Sequence, residues 1–115
     1  MAVTPDIPLL GEVEQLVLLA VLRLNGEAYA VPIRDLIHRD AGVKLFRGSV
    51  YVTLERLERK RYVASWFSDP TGERGGKAKR LFRTTPQGVA ALKASRRAVE
   101  RLASGTVLAK EGWKP

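Results

Sequence analysis

The stretch GSVYVTLERLERKR, residues Gly48–Arg61, decides the fold of this chain. Its apolar residues Val50, Leu54 and Leu57 fall within about 60° of one another at 100° per residue, which predicts a helix with a narrow core-facing stripe. Tyr51 lies on the flank, where packing against the core and contact with a phosphate are equally open. The opposite side is predicted to carry Ser49, Val52, Thr53, Arg56 and Lys60.

This opposite side has the chemistry needed to enter the major groove of duplex DNA. The hydroxyls of Ser49 and Thr53 can bond base edges or phosphates, and Arg56 can bond guanine through two hydrogen bonds. The alternative is an ordinary solvated face on which acidic and basic side chains of the helix pair with one another. The candidate contacts from this segment are Arg47, Ser49, Tyr51, Val52, Thr53, Arg56 and Lys60.

Two strand-like runs follow the helix, Val63–Ser68 and Arg80–Thr84, and predict a β-hairpin. They are separated by the turn-rich, basic segment DPTGERGGKAK. Its glycines remove side-chain bulk and its cations suit a flexible tip that approaches the DNA backbone. The candidate phosphate contacts of the hairpin are Arg74, Lys77, Lys79 and Arg80.

A first helix is predicted upstream at Glu12–Leu24, ended by Asn25-Gly26 in a left-handed cap. Leu18 and Leu22 lie nearly opposite its core stripe, so the helix is apolar on two faces. A small domain can cover one of these faces with its own core, so the second face needs another partner. The predicted core stripe is Val13, Leu16, Val17, Ala20 and Leu24.

Two further helices complete the prediction. One begins near Val31 or Pro32, ends before Gly42 and buries Ile33, Leu36 and Ile37. The other begins at Pro86, runs to about Ala103 and carries a heptad-like apolar stripe. We expect the second apolar face of the first helix and the stripe of the last helix to form a two-fold homodimer interface. Its residues would be Leu18, Leu22, Val89, Leu92, Val99 and Leu102.

The order of helix, helix, helix, hairpin and helix predicts a winged helix-turn-helix fold, mainly α with a small β-hairpin and an additional C-terminal dimerisation helix. The third helix is expected in the major groove, with the hairpin as the wing. We expect a winged helix DNA-binding domain over residues 1–85, the dimerisation helix over 86–103 and a tail over 104–115.

Composition narrows the function. The 115 residues include 20 Lys and Arg against 12 Asp and Glu, a net charge of +8, which favours a nucleic-acid partner.

With no Cys and one His, the chain lacks thiolate zinc sites and redox motifs, and we expect neither an enzyme nor a cofactor or metal. The N-terminus lacks the pattern of a signal peptide, and the longest apolar run, Leu16–Leu22, is far short of a membrane span, so we expect a cytoplasmic protein with no membrane partner.

A basic RNA-binding accessory protein with a winged-helix fold is the alternative function. RNA recognition commonly uses exposed aromatic side chains for base stacking. Aromatic residues make up 7% of this chain, and most stand where a core or a hairpin needs them. Duplex DNA is therefore the favoured partner, and an enzyme is kept only as a residual third possibility.

Three segments resemble the PadR-like transcriptional regulators, and the resemblance runs from about Leu9 to Leu102. They are EAYAVPI at Glu27–Ile33, GSVYVTLERLERKRYV at Gly48–Val63 and ERGGKAKRLFRTTPQG at Glu73–Gly88. The middle segment is similar to the recognition helix of the family. The third is similar to its wing, followed by the Thr-Pro-x-Gly start of the last helix.

The resemblance implies a sequence-specific DNA-binding regulator, a homodimeric repressor whose dimer contact uses the first and last helices. Relief of repression by a small apolar effector held between the subunits stays open, as does activation instead of repression. The chain departs from the family at Ala30 and Arg61, where Gly is usual, and at Thr84, where an aliphatic residue is usual. These departures concern turn geometry and leave the groove-facing side intact.

Overall fold

Five helices and one two-stranded sheet occur in residues 9–69 and 78–110, the part of the chain that the computed structural model describes. Their order confirms the predicted winged helix-turn-helix, mainly α with a small β-hairpin. The elements are α1 Glu12–Leu24, α2 Ala30–Ala41, α3 Arg47–Arg59, β1 Val63–Phe67, β2 Arg80–Thr84, α4 Pro86–Ala103 and α5 Val107–Lys110. No helix within these described ranges is long and apolar enough to cross a membrane.

The end of α3 shows why the helix is shorter than its sequence pattern predicts. Arg61 adopts a left-handed conformation, with φ 65°. Its N–H donates to the Glu58 carbonyl at 2.9 Å, and the Tyr62 N–H donates to the Leu57 carbonyl at 2.9 Å. These two bonds form a Schellman motif, which satisfies the last carbonyls and turns the chain towards β1.

The hairpin pairs β1 with β2 in an antiparallel register, with Ser65 opposite Phe82. A further single bridge joins Ala28, between α1 and α2, to Phe82, whose N–H donates to the Ala28 carbonyl at 2.8 Å. The middle of β2 is therefore fixed to the segment between α1 and α2 as well as to β1. β1 ends one residue before the predicted Ser68.

One core joins α1, α2, α3 and β2, and the predicted α3 stripe forms its centre. Val50, Leu54 and Leu57 are fully buried, together with Ile33 of α2 and Phe82 of β2. This confirms the side of α3 that faces the domain. The remaining exposed side of α3 is thus defined by the fold.

The buried face of α1 differs from the predicted one. Leu18, assigned to the outer face, is fully buried, whereas Val13, assigned to the core, is partly exposed. The cause is Glu14, a carboxylate on the buried side, which accepts a hydrogen bond from Lys60 Nζ at 2.8 Å. Because a charged residue interrupts the apolar pattern on that side, the periodicity points about 60° away from the true core direction.

The start of α4 is held tightly against the end of α3. The Thr85 hydroxyl accepts from the Gly88 N–H at 3.1 Å and donates to the Arg61 carbonyl at 2.7 Å. Pro86 occupies the first turn, where a missing N–H costs nothing. A Cβ on Gly88 would lie 2.2 Å from the Tyr62 carbonyl oxygen, so only glycine allows this approach.

The two halves of α4 have different surroundings. In the first half Leu92 is buried, and at the middle of the helix the Ser95 hydroxyl accepts from the Leu10 N–H at 2.9 Å. In the second half Val99 and Leu102 are exposed, although they continue the same apolar stripe. The domain therefore covers only the first half of this stripe. The short α5 is not predicted from the sequence.

Candidate nucleic-acid interface

The exposed side of α3 carries three of the candidate DNA contacts, Ser49, Val52 and Arg56, all of them exposed. Their side chains lie away from the buried Val50, Leu54 and Leu57 stripe, as an interface requires. A fourth candidate, Arg47, is exposed at the first position of α3, although it lies three residues before Val50 and therefore not on the same side as the other three. The contact of all four with DNA stays a prediction.

Two further candidates, Thr53 and Lys60, do not lie on the exposed side of α3. Thr53 is buried, and its hydroxyl donates to the Ser49 carbonyl at 2.8 Å. It follows Val50 by three residues, which turns it about 300° and returns it to within about 60° of the core stripe. Lys60 lies past the end of α3 and pairs with Glu14 of α1. The prediction of a groove-facing position is therefore wrong for both.

Tyr51 is half-buried and packs against the core. Of the two possibilities left open by the sequence, this position favours packing.

Two further residues belong to the exposed side, although the sequence pattern indicates only ordinary ion pairs for them. Glu55 and Arg59 are exposed, and each lies within about 60° of Val52 on the helical wheel. The sequence spacing could have identified both residues, because positions three and seven residues after Val52 lie on the same helix face as Val52. The exposed side of α3, hereafter the reading face, therefore consists of Ser49, Val52, Glu55, Arg56 and Arg59.

Arg80, a candidate phosphate contact, is the first residue of β2, opposite Phe67, and its side chain is engaged within the domain. Its guanidinium pairs with Glu58 of α3, its Nε donates to Ser65 Oγ at 3.3 Å, and it lies 5.1 Å from the centroid of the Phe82 ring. The Ser65 hydroxyl in turn donates to Glu58 Oε2 at 2.5 Å. A phosphate contact by Arg80 would compete with this ion pair, so the residue is better described as joining the wing to α3.

Lys79 is the candidate wing cation that the structure describes as exposed. Its Nζ lies 4.6 Å from the centroid of the Tyr29 ring and 3.3 Å from the Tyr29 hydroxyl. This cation–π contact directs the ammonium without neutralising its charge, which leaves it available to an anion. Arg74 and Lys77, the other two wing candidates, lie outside the described residues.

The ion pair between α1 and α3 also sets the titration of Glu14. Burial raises the pKa of this carboxyl, but hydrogen bonds from Lys60 and from the Gly11 N–H, together with the charges of Lys60 and Arg56, outweigh burial. The net result is a pKa below the ordinary value of 4.5. Glu14 is therefore ionised at neutral pH and holds Lys60 towards α1.

The candidate dimer residues fall into two groups. Leu18 and Leu92 are buried inside their own domain, so the prediction of an outward-facing position is wrong for both. Leu22, Val99 and Leu102 are exposed, and Val89 is half-buried. A neighbour of Leu22 that the sequence analysis missed, Leu19, is also 41% exposed. The exposed apolar surface of α1 is therefore formed by Leu19 and Leu22 instead of Leu18 and Leu22.

The sequence model of the transcriptional regulator PadR-like family matches residues 18–94. A PadR family transcriptional regulator from Eggerthella lenta has a similar fold, with a TM-score of 0.66 and 24% identity over 81% of this chain and 76% of that chain. A PadR family transcription regulator from Clostridium difficile gives 0.65 and 21% over 81% and 95%. A transcriptional regulator from Clostridium thermocellum gives 0.66 and 21% over 85% and 90%. No protein of curated function matches the chain.

Proposed function

The chain belongs to the PadR-like family of transcriptional regulators, and from this premise we propose that it is a homodimeric repressor that binds a two-fold operator in duplex DNA. The observation that carries the proposal is the reading face of α3. Five exposed side chains, four of which can form hydrogen bonds with base edges, lie on the side of the helix that its own domain leaves uncovered. In a winged helix-turn-helix this helix enters the major groove.

Within the reading face, Arg56 has the chemistry to specify a base. A guanidinium can donate two hydrogen bonds to O6 and N7 of guanine. Arg56 is exposed and occurs in none of the ion pairs found among the described residues. We assign it to base recognition, and Ser49 and Arg59 to bases or phosphates beside it.

The wing supplies phosphate contacts in this proposal. Lys79 is exposed and directed by Tyr29, and the preceding segment adds Arg74 and Lys77 in sequence. Contacts of this kind strengthen binding to any duplex and make it dependent on salt. The ion pair between Arg80 and Glu58 supports a fixed angle between the wing and α3.

Dimerisation is supported by uncovered apolar surface on α1 and α4. Leu19 and Leu22 of α1 and Val99 and Leu102 of α4 are exposed in the single chain. Covering these residues with the same residues of a second copy would remove them from water around a two-fold axis. The two α3 helices would then reach half-sites about 34 Å apart, one turn of DNA.

The proposal also includes repression of transcription and its relief by a small effector. A dimer on its operator occludes the same DNA from other proteins, so repression needs no further activity. A groove of about 210 Å³ between α1 and α2 is lined by Leu16, Leu19 and Leu36, next to the proposed dimer surface. Ligand pockets commonly exceed about 300 Å³, so a small apolar effector would need the second subunit to complete this one.

The test compares a reading-face variant with a wing variant on two duplexes. One duplex is selected from genomic fragments for tight binding, and the other has the same composition in shuffled order. Arg56→Ala should lose about 1–3 kcal/mol on the selected duplex and relax the preference at one base pair in each half-site. Arg97→Ala, an exposed arginine on α4, removes the same charge elsewhere and is the control.

The wing variant changes Lys77 and Lys79 to alanine together. It should weaken both duplexes by similar factors and flatten the slope of log affinity against log salt by roughly 0.9 for each phosphate that the variant no longer neutralises, counted twice in a dimer. Equal losses on both duplexes for Arg56→Ala would assign that residue to the backbone. An unchanged slope for the lysine variant would remove the wing from the interface.

A further inference from the structure

Val52 is an aliphatic side chain at the centre of the reading face, and its own domain gives it no packing role. It is 53% exposed, whereas Val50, Leu54 and Leu57 of the same helix are fully buried. Helix formation does not explain it either, because Val has a lower helix propensity than Lys, Glu or Arg at a solvated position. An explanation for Val52 has to come from outside the domain.

The neighbours of Val52 indicate what lies opposite it. Ser49 precedes it by three residues, and Glu55 and Arg56 follow it by three and four, so all share one helix face. Glu55 is an exposed carboxylate in a chain of net charge +8 and would repel a phosphate. In the major groove, however, a carboxylate accepts from the N4 amino group of cytosine. The mixture of hydroxyl, carboxylate, guanidinium and aliphatic groups fits base edges better than a phosphate backbone.

We propose that Val52 recognises the 5-methyl group of a thymine in each operator half-site. Among the groups that the four base pairs present in the major groove, this methyl is the apolar one, and small aliphatic side chains contact it. The inference rests on the proposed function and adds a base preference to it. It gives the exposed valine a partner that removes both apolar groups from water.

The size of the effect follows from the amount of surface involved. Burying roughly one methyl group changes affinity about fourfold. A homodimer makes the contact twice, so changing both half-sites should change affinity about fifteenfold, the square of the single effect. Effects of this size are measurable in a direct titration.

The experiment replaces each thymine of the selected duplex by deoxyuridine, one position at a time. Deoxyuridine pairs with adenine in the same way and lacks only the methyl group. Wild-type protein should bind about fourfold more weakly when one particular thymine in a half-site is replaced. At that position the ratio of the two affinities should fall towards one for Val52→Ala, which loses two of the three carbons of the valine side chain. Val43→Ala, another partly exposed valine outside α3, should keep the wild-type ratio.

Folding does not confound this comparison. Val52 lies outside the buried core, and alanine is the better helix former, so Val52→Ala should keep or raise the melting temperature. The ratio of affinities for the thymine and deoxyuridine duplexes also cancels any general change in binding.

Two results would overturn the inference. One is a selected duplex in which every thymine tolerates deoxyuridine without loss, and the other is a Val52→Ala protein that keeps the wild-type ratio. Either result leaves the selected duplex preferred over the shuffled one and so leaves the proposed function standing. Equal binding of wild-type protein to the selected and shuffled duplexes would refute the proposed function and this inference with it.

Discussion

At the scale of single residues, Arg61 shows how a family departure is accommodated. Its left-handed conformation, φ 65°, brings Cβ close to the following carbonyl, which costs a non-glycine residue about 1–2 kcal/mol. Ala30, the other position where the resemblance suggests glycine, begins α2 with a helical backbone and carries no such strain. Only Arg61 therefore has a cost that glycine would remove.

Arg61→Gly should raise the free energy of unfolding by about 0.5–1 kcal/mol, because relief of the left-handed strain exceeds the added entropy of the unfolded chain. Urea denaturation monitored by circular dichroism measures the change. Arg97→Gly, in the middle of α4, should lower the same quantity by about 1 kcal/mol. Destabilisation by both substitutions would contradict the assignment of strain to Arg61.

At the scale of elements, the junction between α3 and α4 depends on Gly88. A Cβ there would meet the Tyr62 carbonyl oxygen at 2.2 Å and the Thr84 side chain at 2.9 Å. The carbonyl is backbone, so it cannot rotate away, and either α4 or the start of β1 must shift.

Gly88→Ala should lower the free energy of unfolding by about 1–3 kcal/mol despite the helix propensity of alanine. Gly48→Ala is the matched variant, since a Cβ at Gly48 of α3 meets nothing within 4 Å. It should raise stability by about 0.5–1 kcal/mol. Thermal or urea unfolding measures the free energy of unfolding of the two variants. Equal stability of Gly88→Ala and Gly48→Ala would exclude a close contact at Gly88.

The ion pair of Glu14 with Lys60 predicts a dependence of stability on pH. Burial alone raises the pKa of Glu14, but its hydrogen bonds and neighbouring charges bring it below 4.5. A carboxyl whose pKa is lower in the folded chain stabilises the fold above the unfolded pKa, and this stabilisation is lost as pH falls through the folded pKa. The difference in unfolding free energy between wild type and Glu14→Gln should therefore be largest near neutral pH and shrink below about pH 4.5.

Urea titrations from pH 7 to pH 3 measure this difference. Glu12→Gln, an exposed glutamate in the same turn of α1, controls for the loss of a charge. A difference for Glu14→Gln that stays constant across this range would show that the carboxylate contributes through packing alone.

The two helices α3 and α1 show what the sequence could and could not predict. In α3 the apolar residues are few and regularly spaced, so Val50, Leu54 and Leu57 identify the core side correctly. In α1 every residue from Leu16 to Leu22 is apolar, so the pattern does not select a face. The buried Glu14 then directs the assignment away from Leu18, because its partner Lys60 is 46 residues distant in sequence.

The sequence also does not predict which side chains of the candidate site pair with one another. Arg80 and Lys60 have the charge expected of DNA contacts, and only their distances to Glu58 and Glu14 identify them as members of structural ion pairs. Arg56 and Val52 can be found from spacing because α3 is regular and one of its sides is buried. Whether any of them contacts DNA stays a prediction.

At the scale of the whole molecule, the described part of the chain measures 58 × 35 × 21 Å, and the second half of α4 leaves its apolar stripe uncovered. The proposed dimer predicts that Leu102→Asp, at a position 82% exposed in the single chain, should give a folded monomer. Gln87→Asp adds the same charge to the exposed start of α4 and should stay dimeric. Sedimentation velocity at micromolar concentration separates the two, and a monomeric wild type would contradict the dimer.

Sequence-specific binding of duplex DNA is tested most directly by one ratio: the affinity for the selected duplex divided by that for its shuffled counterpart, at physiological salt. A regulator that reads bases through α3 should show a ratio of about 10³ or more, falling at least about fivefold for Arg56→Ala, the equivalent of about 1 kcal/mol or more. A ratio near one for the wild-type protein would mean that its positive charge binds nucleic acid without reading sequence, and would contradict the role of α3.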